Sequence, residues 1–430
     1  MGLNDFEVLV IGAGAAGLSA ALELALTGRK VGIIEACEKP GGRIKTYWND
    51  AVDTPLELGA EFVHGKLEYT RRLLEKAGAR IYEVSGSIWK KSGKELEEQK
   101  DFITGYKALD KKFDELENDI SVEQFIIQHL AGEEFEETRI SLRKYVEGYY
   151  AGDTKKASTY ALRDELRKSD DVQFRIEEGY QALVNYLHNE CMSKGVSFFL
   201  SEAVHTIDWS GAHIKVFSSK NEWKSKKLLV TVPMGVLQSG TILFTPDIPG
   251  HLNAAKKLGF GPVVKTLLCF RSAFWKDLQS AEKKLDDFSF IFSESIIPTW
   301  WSYYPKKAAV LTGWSGGPHA EKISSLKEEE ILQKAIDSLS AIFNLSTAFL
   351  QEQLLYWHVA NWVQDRFTCG GYSYDVVNGA AAKKILQQPV NGKIYFAGEA
   401  LFEGVEIGTV EAAIVNGRDT AHRMIAGFKS

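Results

Sequence analysis

Glu7-Val8-Leu9-Val10-Ile11-Gly12-Ala13-Gly14-Ala15-Ala16-Gly17 is the stretch from which the fold can be read. Five mostly apolar, β-branched-rich residues running straight into glycine predict a buried parallel strand. Residues 18–27 then read as a helix that Gly28 ends, and Val31-Gly32-Ile33-Ile34-Glu35 reads as a second strand. Each glycine has a physical task in such a strand–turn–helix unit. Gly12 permits the tight turn, Gly14 lets the backbone approach a pyrophosphate, and Gly17 lets the helix pack against the strand. The helix start offers free N–H groups and a partial positive charge to phosphate. Glu35 follows Gly17 by eighteen residues, where an acid suits ribose hydroxyls. The unit predicts dinucleotide binding.

Composition agrees with a globular α/β protein. The 430 residues carry 51 Lys plus Arg against 57 Asp plus Glu, a net charge of −6, which argues against nucleic acid as partner. Hydrophobic residues make up 45%, which excludes a disordered chain. Cys37, Cys191, Cys269 and Cys369 are scattered, with no metal-knuckle or redox spacing, so no metal is expected and a reducing, cytoplasmic setting is. The first residues lack a basic region, so no secretory leader is expected, and Phe6 stands where a myristoylation signal needs Ser or Thr. The apolar run 8–26 is split by glycines, so no membrane partner is expected.

Beyond Glu35 come Pro40-Gly41-Gly42-Arg43-Ile44 and Glu57-Leu58-Gly59-Ala60-Glu61-Phe62-Val63-His64-Gly65. These segments resemble the second and third fingerprints of the flavin-containing amine oxidases. The resemblance runs from residue 8 to about residue 418 and implies FAD as cofactor. Within it, Gly12, Gly14, Ala16, Gly17, Glu35 and Ala36 match the dinucleotide end. Gly42, Arg43, Gly59, Ala60, Glu61 and Phe62 match the second and third segments. Val204 matches a backbone position against adenine, and Trp362 lies in a flavin-side loop. Gly398 and Glu399 match the ribityl-phosphate contact, and Thr409 with Val410 opens a last helix aimed at the flavin ring.

Lys265 is the one charge in the apolar run Val263-Val264-Lys265-Thr266-Leu267-Leu268-Cys269-Phe270. Taken alone it is a strand-edge lysine whose stem covers apolar surface. The resemblance implies a lysine that holds a water against flavin N5. Tyr372 matches one wall of an aromatic cage for the amine, and aromatic faces suit such a group. Monoamine oxidases carry a flavin-linking cysteine directly before this tyrosine. Gly371 stands there, so non-covalent FAD is expected. Thr409 occupies the other cage position, which is closer to the polyamine oxidases. His64 matches a tunnel histidine of spermine and polyamine oxidases, and a titration near ~6.5 would let it select a deprotonated amine. Glu61, Glu147 and Glu178 are candidate acids for a polyamine, with Glu178 and Thr409 taken as substrate contacts.

The expected activity is oxidation of an amine, with a polyamine-like substrate and O2 as acceptor. An L-amino-acid oxidase of the same superfamily is the alternative, ranked lower because Glu61 stands where those enzymes have an arginine. A non-catalytic FAD-binding scaffold remains the alternative from another class. The expected fold is α/β: a Rossmann-type FAD-binding domain from 1–67, 173–240 and 376–430, interleaved with an α+β substrate domain from 68–172 and 241–375. Residues 69–168 read as helices with charged, solvated faces.

Overall fold

A computed structural model describes residues 4–50, 52–168, 172–280 and 283–428. The expectation about a leader falls partly on residues 1–3, outside the described residues. The first strand, Asp5–Ile11, lies at the heart of an eight-stranded sheet. It pairs in parallel with Val31–Ile34 on one side and Glu222–Val230 on the other. Ser197–Phe199 and Ile394–Phe396 extend this parallel region outward. Ile214–Ser218, Val204–Asp208 and Leu243–Thr245 continue it beside Glu222–Val230, the first two by antiparallel pairing.

Alternation along the first strand explains its burial on both faces. Val8 and Val10 point into one core, with Leu18, Leu183 and Ile414 from helices Ala15–Leu26, Gln181–Ser193 and Val410–Ala426. Leu9 and Ile11 point into the other, with Trp223, Leu237 and Phe396. A strand covered on both faces must be apolar throughout, which is how the sequence reads.

The first helix packs on the last through small residues. A Cβ added at Gly417 would lie 2.3 Å from the Ala16 carbonyl oxygen. Gly417→Val is therefore expected to force the helices apart at a cost of about 1–3 kcal/mol. Thermal unfolding checks this, and an unchanged midpoint would contradict the close approach.

A second, seven-stranded sheet runs in the order Leu354–Asn361, Val263–Phe270, Val310–Gly316, Thr299–Ser302, Phe288–Phe292, Ser87–Ser92, Glu95–Gln99. Its pairings are antiparallel except between Phe288–Phe292 and Ser87–Ser92. The last two strands correct the all-helical reading of 69–168, as does Ile81–Glu83. Their Lys- and Glu-rich composition suggested helix, but Gly93 at φ 56° closes a two-residue hairpin. Trp89 and Leu96 then anchor the hairpin in the core beneath the sheet. Helices Tyr106–Phe113, Val122–His129, Glu136–Gly148 and Thr159–Lys168 fill the rest of that region. Leu243–Thr245 joins the first sheet beyond residue 240, where the sequence placed a domain boundary. Among the described residues no helix is long and apolar enough to cross a membrane.

Candidate active site

One continuous cleft of about 3690 Å³ runs from the glycine turn to the inner face of the second sheet. A single small-ligand pocket occupies roughly 300–1,000 Å³, so the cleft has room for a dinucleotide and a second molecule.

At the glycine end, Gly12 adopts φ 106° and a Cβ there would meet Thr231 Oγ1 at 2.8 Å. Gly14, Ala16 and Ala36 line the cleft. Gly17 does not line it; its Cβ would come 2.0 Å from the Gly12 carbonyl oxygen, so it serves helix–strand packing alone. Glu35 accepts hydrogen bonds from the backbone N–H groups of Ala13 at 2.6 Å and Cys37 at 2.9 Å, which locks the turn to the second strand. Val204 lines the same end.

The middle of the cleft is built by loops that cross-brace. Gly59 must be glycine because a Cβ would lie 1.9 Å from the Arg43 carbonyl oxygen, and Ala60 N–H donates to that oxygen at 3.0 Å. Arg43 Nη1 donates to Glu399 Oε1 at 2.7 Å and to the Gly371 carbonyl at 2.9 Å. The other carboxylate oxygen, Glu399 Oε2, is buried with no partner. Beside it, Gly398 at φ 153° has nothing within 4 Å of its Cβ position. Gly42 also lines this cradle. Trp362 Nε1 is bonded to the Leu58 carbonyl at 2.9 Å, so the indole serves as a wall. A side-chain-free cradle with an orphaned buried acceptor fits the hydroxyl-bearing chain of FAD.

Lys265 stands at the far end on a strand whose eight residues are all buried. Its Nζ contacts Glu61 Oε2 at 2.6 Å and the Gly59 carbonyl at 3.2 Å. Glu61 Oε1 also accepts from Arg175 Nε at 2.9 Å and Trp301 Nε1 at 3.0 Å. Both Glu61 oxygens are thus engaged within the protein, although the residue also lines the cleft. Burial would raise this carboxyl, but the charges of Lys265 and Arg175 hold it below the usual carboxylate range.

Tyr372 stacks on Trp314 with ring centroids 6.2 Å apart, and its hydroxyl donates to the Tyr149 carbonyl. Burial pushes the Tyr372 and Tyr149 hydroxyls far up, so both rings stay neutral. The His64 ring meets Tyr149 edge-on at 5.5 Å and Phe62 at 6.1 Å. Burial pushes His64 down to about 4, so it is neutral near pH 7 and is not the titrating selector that the sequence suggested. Thr409 caps the last helix: its hydroxyl donates to the Glu406 carbonyl at 2.6 Å and accepts from Ala412 N–H at 3.1 Å. That hydroxyl is not free for a substrate, although Thr409 and Val410 both line the cleft. Glu178 is taken up by Arg80, at 3.2 Å from its Nε and 2.8 Å from its backbone N–H, so it is no free substrate acid. Glu147 lies 3.6 Å from His319 and does not line the cleft.

Sequence reasoning missed Trp301, Trp314, Tyr149, Arg175 and Glu165, all set around this end. Alternation in Thr299–Ser302 separates Trp300, which enters the core, from Trp301, which lines the cleft. That pattern shows two faces but not which one meets a cavity.

A protein-family model described as "Flavin containing amine oxidoreductase" matches residues 85–425. The chain belongs to that family. A second model, "NAD(P)-binding Rossmann-like domain", matches residues 10–77, over the glycine turn. Among curated relatives, Protein FLOWERING LOCUS D of Arabidopsis thaliana is 26% identical over 452 residues, covering 99% of this chain and 56% of that protein. Polyamine oxidase 2 of the same plant is 26% identical over 461 residues, covering 98% and 89% respectively. Cyclohexylamine oxidase from Brevibacterium oxydans IH-35A shares the fold, with a TM-score of 0.80 at 19% identity over 99% of this chain and 100% of that one. The chain spans about half the length of FLOWERING LOCUS D and of the lysine-specific histone demethylases that it matches. Membership in the flavin-containing family brings FAD as the cofactor, and the cradle described above accommodates it.

Proposed function

We propose that this flavin-containing amine oxidoreductase oxidises a small di- or polyamine, with FAD held non-covalently. The observation that carries the proposal is one cavity that joins the FAD cradle, the Lys265 ammonium and the Tyr372–Trp314 wall. When bound, FAD would supply a two-electron acceptor for the hydride of the carbon beside the amine nitrogen, with O2 as the final oxidant, reduced to H2O2, and hydrolysis of the imine completing the reaction. The chain's own residues do the rest. Tyr372, Trp314 and Tyr149 exclude water and orient a neutral amine. Lys265 presents a fixed positive donor at the reacting end. Neutral His64 offers hydrogen bonding without adding charge. Gly371 precedes Tyr372, and Cys369 is turned to the Arg366 carbonyl at 3.7 Å. Acid precipitation is therefore expected to release the flavin intact. The domain assignment 1–67, 173–240 and 376–430 for FAD, with 68–172 and 241–375 for substrate, belongs to this proposal.

A second positive end on the substrate is favoured by Glu165. It lines the cleft and takes a hydrogen bond from the Tyr150 hydroxyl. Among the described residues it makes no salt bridge. Burial, with Asp375 and Glu406 adding to it against the Tyr150 bond, pushes its carboxyl up to about 8. A docked ammonium favours the ionised form. Diamine affinity should then improve as pH rises toward 8, beyond any trend shown by a monoamine of equal length. Glu165→Gln should remove that excess and raise the diamine KM by ~10-fold, about the worth of one charge-assisted hydrogen bond. Equal diamine and monoamine profiles in the parent protein would contradict the diamine reading.

An L-amino acid is disfavoured because Lys265 and Arg175, two cations set around this end, are both engaged by Glu61. Similarity to proteins named lysine-specific histone demethylases supports one other reading, a methylated lysine on a peptide.

A further inference from the structure

An ammonium group has three N–H bonds to place. Lys265 spends one on the Gly59 carbonyl and one on Glu61 Oε2. The third is left for the cleft that the residue lines. Glu61 is in turn held by groups that cannot easily move. Arg175 Nη2 donates to the Ser302 carbonyl at 3.0 Å. The guanidinium lies 4.8 Å from the Phe62 ring centroid and 4.7 Å from that of Tyr303. Trp301 places its indole N–H on the same carboxylate oxygen as Arg175. The side chains of Lys265, Glu61 and Arg175 are 1%, 2% and 4% exposed, so water does not screen the array.

We infer that Glu61 is a positioning residue that acts through Lys265, fixing the ammonium so that its one remaining N–H is offered to the flavin-side cavity. This rests on the proposed role of Lys265. It explains why an acid occupies a segment otherwise built to support the cofactor. Both carboxylate oxygens are held by donors of the protein, one of them Lys265, whose direction the carboxylate sets. Arg175 and Trp301 extend the same brace outward into the second sheet.

The test uses the FAD-loaded protein in four forms: parent, Glu61→Gln, Lys265→Met and the double variant. Flavin content, the visible absorption of the oxidised flavin, and the separate rates of flavin reduction and reoxidation are measured. Glu61→Gln should keep its flavin, shift the absorption band, and slow the Lys265-dependent half-reaction about 10- to 100-fold with little change in KM, as expected of a misaligned group. The double variant should be no slower than Lys265→Met, because Glu61 has no route of its own. Multiplying effects in the double variant, or parental spectra and rates in Glu61→Gln, would overturn the inference while leaving the role of Lys265 intact. Parental rates in Lys265→Met would remove that role and the inference with it. Should Glu61→Gln fail to fold, Trp301→Phe removes only the indole donor. It should give a smaller slowing of the same half-reaction that vanishes on the Lys265→Met background; a slowing that persists there overturns the inference.

Discussion

Replacing Lys265 by methionine is expected to leave FAD bound and to slow flavin reduction or reoxidation by ~10²-fold, the usual loss for one preorganised donor at a reacting centre. Methionine nearly matches the lysine stem in length and adds no charge to the core. Glu61 keeps Arg175 at 2.9 Å and Trp301 at 3.0 Å, both on Oε1, so its charge stays paired, but Oε2 loses the ammonium and the thermal midpoint should fall while the flavin stays bound. Rapid mixing of the oxidised protein with amine, and of the reduced protein with O2, separates the two half-reactions. Parental rates in both would take Lys265 out of the mechanism.

Arg175→Leu should instead strike the fold. The guanidinium is almost fully buried and bridges Glu61 to the Ser302 carbonyl. Removing one member of a buried ionic array costs about 3–5 kcal/mol; here Glu61 Oε1 loses its charged partner, leaving Lys265 on Oε2, and the bond to the Ser302 carbonyl goes with it. Arg175→Lys should recover little, since an ammonium cannot reproduce the fork or the stacking on Phe62 and Tyr303. The loss should also depend on pH. Glu61 is held below its ordinary value of 4.5. Its stabilising contribution is thus present above 4.5 and is lost as pH falls through the lower folded value. The gap in thermal midpoint between parent and Arg175→Leu should therefore narrow in acid. A constant or widening gap would show that the array does not stabilise the protein through Glu61.

The glycine turn, its flanking strands and the last helix were legible because local sequence carries their cause. Gly12 needs positive φ, Gly17 needs close approach, and an apolar run is what a doubly covered strand must be. Lys265 was legible as one charge in an apolar strand. Its partners were not: Arg175 lies 114 residues from Glu61 and Trp301 lies 240 away. Nothing local in Gln173–Ile176 marks its arginine as a member of an ionic array. Thr409 and Glu178 had the right residue types, but a helix start and a neighbouring arginine claimed their polar atoms. His64 lines the cleft, while its proton affinity depends on burial that no single segment reveals. The Ser87–Ser92 and Glu95–Gln99 hairpin was hidden because its Lys and Glu residues favour helix until a partner strand supplies hydrogen bonds.

Anaerobic bleaching of the bound flavin tests the central claim most directly. The panel would hold spermine, spermidine, putrescine, aryl monoamines, L-amino acids and a peptide with a methylated lysine. Rapid bleaching by the di- or polyamines, with the others slow, is the expected result. Bleaching by an L-amino acid or by the methylated peptide in place of the polyamines, or no bleaching by any compound, would contradict it.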